Sequence, residues 1–379
     1  MKILQTCLSY SWGGMEMYTL HTSHLLKESG HKVELLCADN SRLKTEAEKA
    51  GFTVHTIPIK YMLLKSIRKL KKIFNEKNYD VIHAEASKDL WFIVPALLTS
   101  QKKTPLLLTK HVGSNVVKKD ILHKILYKRV DLALAISEVI KNNLLDTTPL
   151  SKDRIALLHD AIDADRFNPV KTDRCKVRRE FNIQDDEIVI GMTGRFSPGK
   201  GHEEFLQAAK QLVMRHNNLR FMIVGEASRG EDEYAESIRA MAYNYGIRDK
   251  VIFTGYRSDI PDILAAFDIY LFPSHAEAFG LALVEAMSME LPTVCSNSDG
   301  VLDIAVEGVT SYLFSAGNRN ELSTKVENLI ADPVKREKLG KEARKRVLDN
   351  FDTAQFTKKL INIYRSKVEN SGSDSEKAA

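Results

Sequence analysis

Two glutamates eight residues apart, Glu277 and Glu285, bracket Phe279, Gly280 and an apolar run in HAEAFGLALVEAM, residues 275–287. The preceding IYLFPS reads as a strand closed by a turn at Pro273-Ser274, and the following LALVEAMSM reads as a helix. Gly280 therefore lies near a helix start, just beyond the carboxyl end of a strand, the edge at which open parallel sheets bind ligands. The first N–H groups of a helix have no internal acceptor and can hold an anion. Glu277 falls in the turn beside that site. Glu285 lies inside the helix, and helical side chains lean back toward the N-terminus. One anion site flanked by two carboxylates suits a molecule with phosphate in its middle and hydroxyls at both ends, the layout of a nucleotide sugar. On spacing alone, a carboxylate stabilising a helix N-terminus and a glutamate on a solvated face account for the pair equally well.

A second stretch, GRFSPGKGHEEFLQAA at 194–209, reads as a strand end, a glycine-rich turn and a helix start, with Arg195 and Lys200 flanking the turn. Two cations there can bind a diphosphate, arginine as a fork and lysine as a point charge. The stretch is not a Walker loop, because Gly201 stands where Ser or Thr would follow Lys200. A third, SYSWGGMEMY at 9–18, puts Gly13-Gly14 between the first strand and a helix, without a full dinucleotide fingerprint.

The elements that must position these residues alternate. Short strand-like runs at 2–7, 32–37, 81–83, 105–110, 132–136 and 155–158 are separated by amphipathic helical stretches. The rhythm resumes at 188–193, 220–224, 251–254, 269–272 and 293–296. Strand–helix–strand alternation implies parallel sheets covered by helices, and two such series imply two Rossmann-like α/β domains. The pattern breaks near Asp160–Asn182, and a last helical stretch runs from about Ala354 to Val368 before SGSDSEKAA, which reads as a disordered tail.

At 379 residues the chain is long enough for two domains, and 44% apolar with 28% charged residues is a globular composition. No run is long enough to span a membrane or to serve as a signal peptide, and the four scattered cysteines fit a reduced compartment without a metal cluster. Net charge is uneven: residues 1–165 carry 25 Lys and Arg against 18 Asp and Glu, while the whole chain is only +5. A basic first half implies an anionic partner such as a phospholipid surface or a phosphorylated acceptor. Nucleic acid is not expected, since no binding motif or basic–aromatic stripe is present. In YMLLKSIRKLKKIF, 61–74, Leu63, Ile67, Leu70 and Phe74 form one helical stripe and Lys65, Arg68, Lys69 and Lys72 another. This reads as a surface helix with its apolar side in the core, or as a basic face resting weakly on anionic lipid.

Taken together, EAFGLALVE, RFSPGKG, VGE at 224–226, VIFTGY at 251–256, AISE at 135–138 and AIDADRFNP at 161–169 resemble the family 4 retaining glycosyltransferases. The resemblance implies the GT-B fold, two Rossmann-like parallel-sheet domains facing a central cleft. It places an acceptor-side domain at 1–165 and a nucleotide-sugar-binding domain at 166–353, with the helix in 354–379 packing back on the first. It implies that Arg195 and Lys200 hold the donor diphosphate, that Glu277 contacts the donor sugar and that Glu285 binds the ribose hydroxyls. Backbone N–H groups of Phe279, Gly280 and Leu281 would hold the distal phosphate. Gly14 would lie over the diphosphate, His111 near the reacting face of the sugar, and Tyr256 and Arg257 beside the base. The partners implied are a nucleoside-diphosphate sugar and a glycan or lipid-linked acceptor in cell-surface glycan or lipopolysaccharide assembly. No cofactor and no metal are implied, and the expected location is the cytoplasm, at the inner face of the membrane. Departures at Asp160-Ala161, Glu290 and Asp299-Gly300 touch the hinge and sugar contacts, not the diphosphate site. Three rival readings stand beside this one: a metal-dependent transferase using Asp163-x-Asp165, a nucleotide-sugar epimerase of the same architecture, and a non-catalytic nucleotide-sugar-binding subunit.

Overall fold

The structure, a computed structural model, describes residues 1–59, 63–100, 102–228 and 230–376. The chain divides into two units, one formed by 1–159 with 354–379 and the other by 160–353. The expected join at 165/166 thus lies inside the second unit.

The strands of the first unit are β1 (Lys2–Cys7), β2 (Lys32–Ala38), β3 (Thr53–Ile57), β4 (Val81–Ala84), β5 (Leu106–Lys110), β6 (Leu132–Ala135) and β7 (Ile155–Leu157). They form one sheet in the order β3-β2-β1-β4-β5-β6-β7, parallel at every described pairing. Near-continuous apolar runs such as β5, LLLTK, suit a sheet covered on both faces. The second unit repeats the plan with β8 (Ile188–Thr193), β9 (Leu219–Val224), β10 (Val251–Gly255), β11 (Ile269–Phe272), β12 (Thr293–Ser296) and β13 (Ser311–Phe314), ordered β10-β9-β8-β11-β12-β13 and also parallel. In each sheet the strand order reverses once, between β1 and β4 and between β8 and β11. Those two points leave room for a ligand above the carboxyl ends.

The segments that enter and leave the second unit pair with each other, through Ile162 N to Phe351 O at 2.9 Å and Thr353 N to Ile162 O at 3.0 Å. The C-terminal helix Thr353–Glu376 then belongs to the first unit. Its Tyr364 hydroxyl meets buried His83 Nδ1 at 2.6 Å and accepts from Gln5 Nε2 at 3.2 Å, and Phe356 packs edge-on to Tyr18. Helix continues past Val368 to Glu376, into the stretch expected to be a disordered tail, as no proline interrupts ENSGSDSE although its Gly, Ser, Asn and Asp are weak helix formers; residues 377–379 lie outside the described residues.

Of the 61–74 stretch, Tyr61 and Met62 lie outside the described residues. The helix Leu63–Lys77 buries Leu70, Ile73 and Phe74 and exposes Lys65, Arg68, Lys69 and Lys72. Among the described residues no helix is long and apolar enough to cross a membrane.

Candidate functional site

In the second unit, two loops leave the sheet at the β8/β11 switch point: 194–201 after β8 and 273–280 after β11. They carry the two motifs, and they meet. Lys200 Nζ lies 2.6 Å from Glu277 Oε1, both side chains largely buried. Backbone closes around them, with His275 N donating to Gly199 O at 2.8 Å and Gly300 N donating to Glu277 O at 3.0 Å. Gly201, at φ +81°, must be glycine: a Cβ there would stand 2.2 Å from Pro273 O. The same residue that breaks the Walker pattern therefore lets the loops touch.

Arg195 is exposed on the same loop, its Nη1 donating to Ser228 Oγ at 3.2 Å. The next residue, Phe196, is buried and stacks on His202 at 4.6 Å, which holds the loop against the sheet. Burial, reinforced by the Lys200 charge, pushes His202 down to about 4, so it is neutral at physiological pH.

Gly280, at φ +124°, caps the helix Leu281–Ser288. The helix is anchored by buried Leu283, Val284 and Met287 and by Ser288 Oγ donating to Phe167 O at 2.8 Å. Leu283 N and Val284 N donate to Gly280 O at 3.0 and 3.2 Å, which leaves the N–H groups of Leu281 and Ala282, ahead of the first turn, without an intrahelical acceptor. The Phe279 side chain is buried against Phe351, ring centroids 5.6 Å apart, so its ring does not face a ligand. Glu285 is partly exposed, and its carboxyl has no hydrogen-bond partner among the described residues. Burial of its carboxyl, opposed by the Arg166 charge, pushes it up to about 7.

Some expected residues stand apart from this cluster. Arg257 follows the edge strand β10, and its guanidinium is spent on Glu180 at 2.6 Å and Asp259 at 2.7 Å; Tyr256 beside it is exposed. Asp163 accepts from the N–H groups of Asp165 and Arg166, both at 3.0 Å, and Asp165 pairs with Lys171. That Asp-x-Asp closes its own turn. No group of three or more His, Cys, Asp or Glu among the described residues is placed to hold a metal ion.

Gly14 and His111 belong to the first unit, at the carboxyl ends of β1 and β5. Gly14 opens the helix Gly14–Glu28, whose buried Glu16 folds back to accept from Gly13 N at 3.0 Å. His111 Nε2 lies 2.8 Å from Oε2 of Glu85, a buried carboxylate at the end of β4. Burial opposes ionisation of Glu85, yet His83 and His111 hold its carboxyl below the ordinary range.

Two participants escape a sequence reading. Glu85 is one; its only signal is its place after VIHA at a strand end. The other is the pair His275 Nε2 with buried Glu204 Oε1, 2.9 Å apart, which ties the Glu277 turn to the helix His202–Val213.

Comparison with known proteins accords with this layout. A family model described as glycosyl transferases group 1 matches residues 173–346, and one described as Glycosyltransferase Family 4 matches residues 12–166. The Staphylococcus aureus capsular polysaccharide biosynthesis glycosyltransferase CapM is 24% identical over 91% of this chain and 93% of its own. An Escherichia coli UDP-Gal:alpha-D-GlcNAc-diphosphoundecaprenol alpha-1,3-galactosyltransferase is 23% identical over 97% of this chain and 98% of its own. The structure of Anabaena Alr3699/HepE in complex with UDP superposes with a TM-score of 0.84 at 22% identity, covering 97% of this chain and 100% of that one. The two parallel-sheet α/β units are thus those of the GT-B fold.

Proposed function

The chain is a glycosyltransferase, matched by two such family models that together span most of it, and from that premise we propose that it is a family 4 enzyme that moves a sugar, with retention at the anomeric carbon, from a nucleoside diphosphate to a hydroxyl of a cell-surface glycan or its lipid-linked precursor. The observation that carries the reading is the meeting of Lys200 with Glu277 at the β8/β11 switch point, beside Arg195 and a helix N-terminus. Lys200 and Glu277 neutralise each other across 2.6 Å. A donor diphosphate would draw Lys200 to itself and leave Glu277 to accept from sugar hydroxyls.

The leaving group is a diphosphate, so its departure needs preorganised positive charge, which Arg195, Lys200 and the first N–H groups of Leu281–Ser288 supply. The acceptor hydroxyl attacks from the face the diphosphate leaves, and a diphosphate oxygen takes its proton, so no enzyme nucleophile is required. Glu277 orients the sugar, Glu285 receives the ribose hydroxyls, and His111, held by Glu85, is assigned to the sugar's reacting face. In this reading the cations are side chains and no metal takes part. The Anabaena structure contains UDP and the Escherichia coli relative is named for UDP-Gal, which favours a uridine diphosphate donor here.

Release of UDP from a panel of UDP-sugars, with EDTA present, tests the reading. Arg195→Ala or Lys200→Ala should each lower turnover about 100- to 1,000-fold with the fold intact, equivalent to about 2.7–4 kcal/mol of lost stabilisation. Near-parental turnover of both variants at saturating donor would overturn the site. Abolition of parental activity by EDTA would overturn the metal-free reading.

A further inference from the structure

Large apolar side chains left exposed on a folded chain are ordinary when scattered and informative when contiguous. Six of them fall within residues 112–125: Val112, Val116, Val117, Ile121, Leu122 and Ile125, from 49% exposed at Ile125 to 76% at Ile121. They occupy the loop after β5 and the helix Ile121–Lys128. That helix buries Leu126 and Tyr127, and His123 meets Trp91 at 5.4 Å. A helix turns 3.6 residues at a time, so Ile121 and Ile125 share the opposite face, with Leu122 on one flank and exposed Lys124 and Lys128 on the other. The loop is not loose chain: Ser114 is bound at N and O by the Asn143 side chain, at 2.9 and 3.0 Å, and Lys118 N donates to Thr147 O at 2.6 Å.

The charge around this patch has one sign. Residues 102–130 contain eight Lys and Arg and a single acid, Asp120. Asp120 is already committed, capping the helix through Leu122 N at 3.1 Å and His123 N at 3.2 Å and pairing with the His123 ring. Lys110 and Lys118 make no ion pair among the described residues. Burial, then the nearby Lys118 ammonium, pushes Lys110 down to about 8, and burial lowers Lys118 as well. Two crowded, unpaired ammoniums beside exposed valines would both gain from a phosphate oxygen.

We propose that residues 110–128 form the surface by which this protein rests on a bilayer of anionic phospholipid, with Val116, Val117, Ile121 and Ile125 entering the headgroup boundary and Lys118, Lys119, Lys124 and Lys128 meeting the phosphates. Apolar insertion and basic charge together are what reversible interfacial binding requires. The helix Leu63–Lys77 exposes large apolar side chains only in its first turn, at Leu63 and Leu64; beyond it Leu70, Ile73 and Phe74 are in the core and the exposed face is basic. The surface directly follows His111, so it would bring a membrane-borne acceptor to that end of β5. The inference does not depend on the donor or on retention.

Sedimentation with vesicles of phosphatidylglycerol and phosphatidylcholine, against phosphatidylcholine alone, tests it. The parent should bind the anionic vesicles preferentially. A variant carrying Val116→Ser, Val117→Ser, Ile121→Ser and Ile125→Ser should partition at least about tenfold less. Changing Lys118, Lys119, Lys124 and Lys128 to Gln should remove most of the salt dependence. Changing Lys65, Arg68, Lys69 and Lys72 to Gln should leave most binding in place. Unchanged thermal melting and nucleotide binding in each variant exclude unfolding. Parental sedimentation of the serine variant would overturn the proposal, as would loss confined to the Leu63–Lys77 variant. A dimer in light scattering that the serine changes dissolve without altering vesicle binding would overturn it too, and assign the patch to a second copy of the chain.

Discussion

Glu277 and Glu285 share a motif and a similar part-buried exposure, and differ in what faces their carboxyls. Glu277 pairs with Lys200, whereas the Glu285 carboxyl has no hydrogen-bond partner among the described residues and is pushed up to about 7 by burial. Because its carboxyl is raised in the folded chain, Glu285 contributes most favourably below about 4.5, and that contribution is lost as pH rises to about 7. Glu285→Gln should therefore raise the melting temperature at pH 8 and not at pH 4. The gain is on the order of 1 kcal/mol after allowance for its partial exposure, or about 2–4 °C for a unit of this size. Hydroxyls donating to Glu285 favour its ionised form, so UDP binding near pH 7 should release a proton that Glu285→Gln does not release. Calorimetry in two buffers of different ionisation enthalpy measures this. Glu285→Gln should also weaken UDP itself, while Glu277→Gln should keep UDP and impair transfer; equal losses of UDP affinity would refute the division. The types and spacing of these residues were legible in the sequence. The contact between Lys200 and Glu277 was not, because they lie 77 residues apart and only the strand order brings their loops together.

At the scale of elements, the site is two loops held backbone to backbone. Gly201 allows the approach, and His275 with Glu204 clamps it. Gly201→Ala should force the loops apart, costing about 1–3 kcal/mol and lowering UDP affinity. Gly194→Ala, whose Cβ would meet nothing within 4 Å, should be near neutral. Equal melting temperatures and UDP affinities for the two variants would show that the close approach carries no weight. Most strands were legible as apolar runs; β8, β11 and β12 match residue for residue. The edge strands β3 and β13 were missed for a physical reason. TVHTI is half-exposed and polar at three of five positions, and SYLF is four residues following a polar turn. An edge strand buries less than a central one and so carries a weaker apolar signature. The exposed apolar patch after His111 was likewise invisible, since ILHKILYK reads as an ordinary amphipathic helix until the fold shows which face is covered.

At the scale of the whole molecule, the second unit is continuous in sequence and the first is not, because it takes its last helix from 354–379. That helix supplies buried polar partners as well as apolar cover. Tyr364 OH satisfies His83 Nδ1 and Gln5 Nε2 inside the first unit, and Leu360 is fully buried. Removing it leaves those polar groups unpaired next to β1 and β4, and an orphaned buried group costs about 1–3 kcal/mol. Folding of the first unit therefore waits on the end of the chain, whereas the second unit has all its strands in hand by β13. Truncation after Thr353 should destabilise the first unit alone. Hydrogen exchange should accelerate across β1, β2 and β4 while β8, β9 and β11 keep parental protection, and UDP affinity, which this reading assigns chiefly to the second unit, should fall far less than turnover. The milder Tyr364→Phe should speed exchange in the same strands by a factor of about 5–30. Parental exchange in β1 and β4 of the truncated chain, or acceleration that appears first in β8 and β11, would show that the C-terminal helix does not complete the first unit.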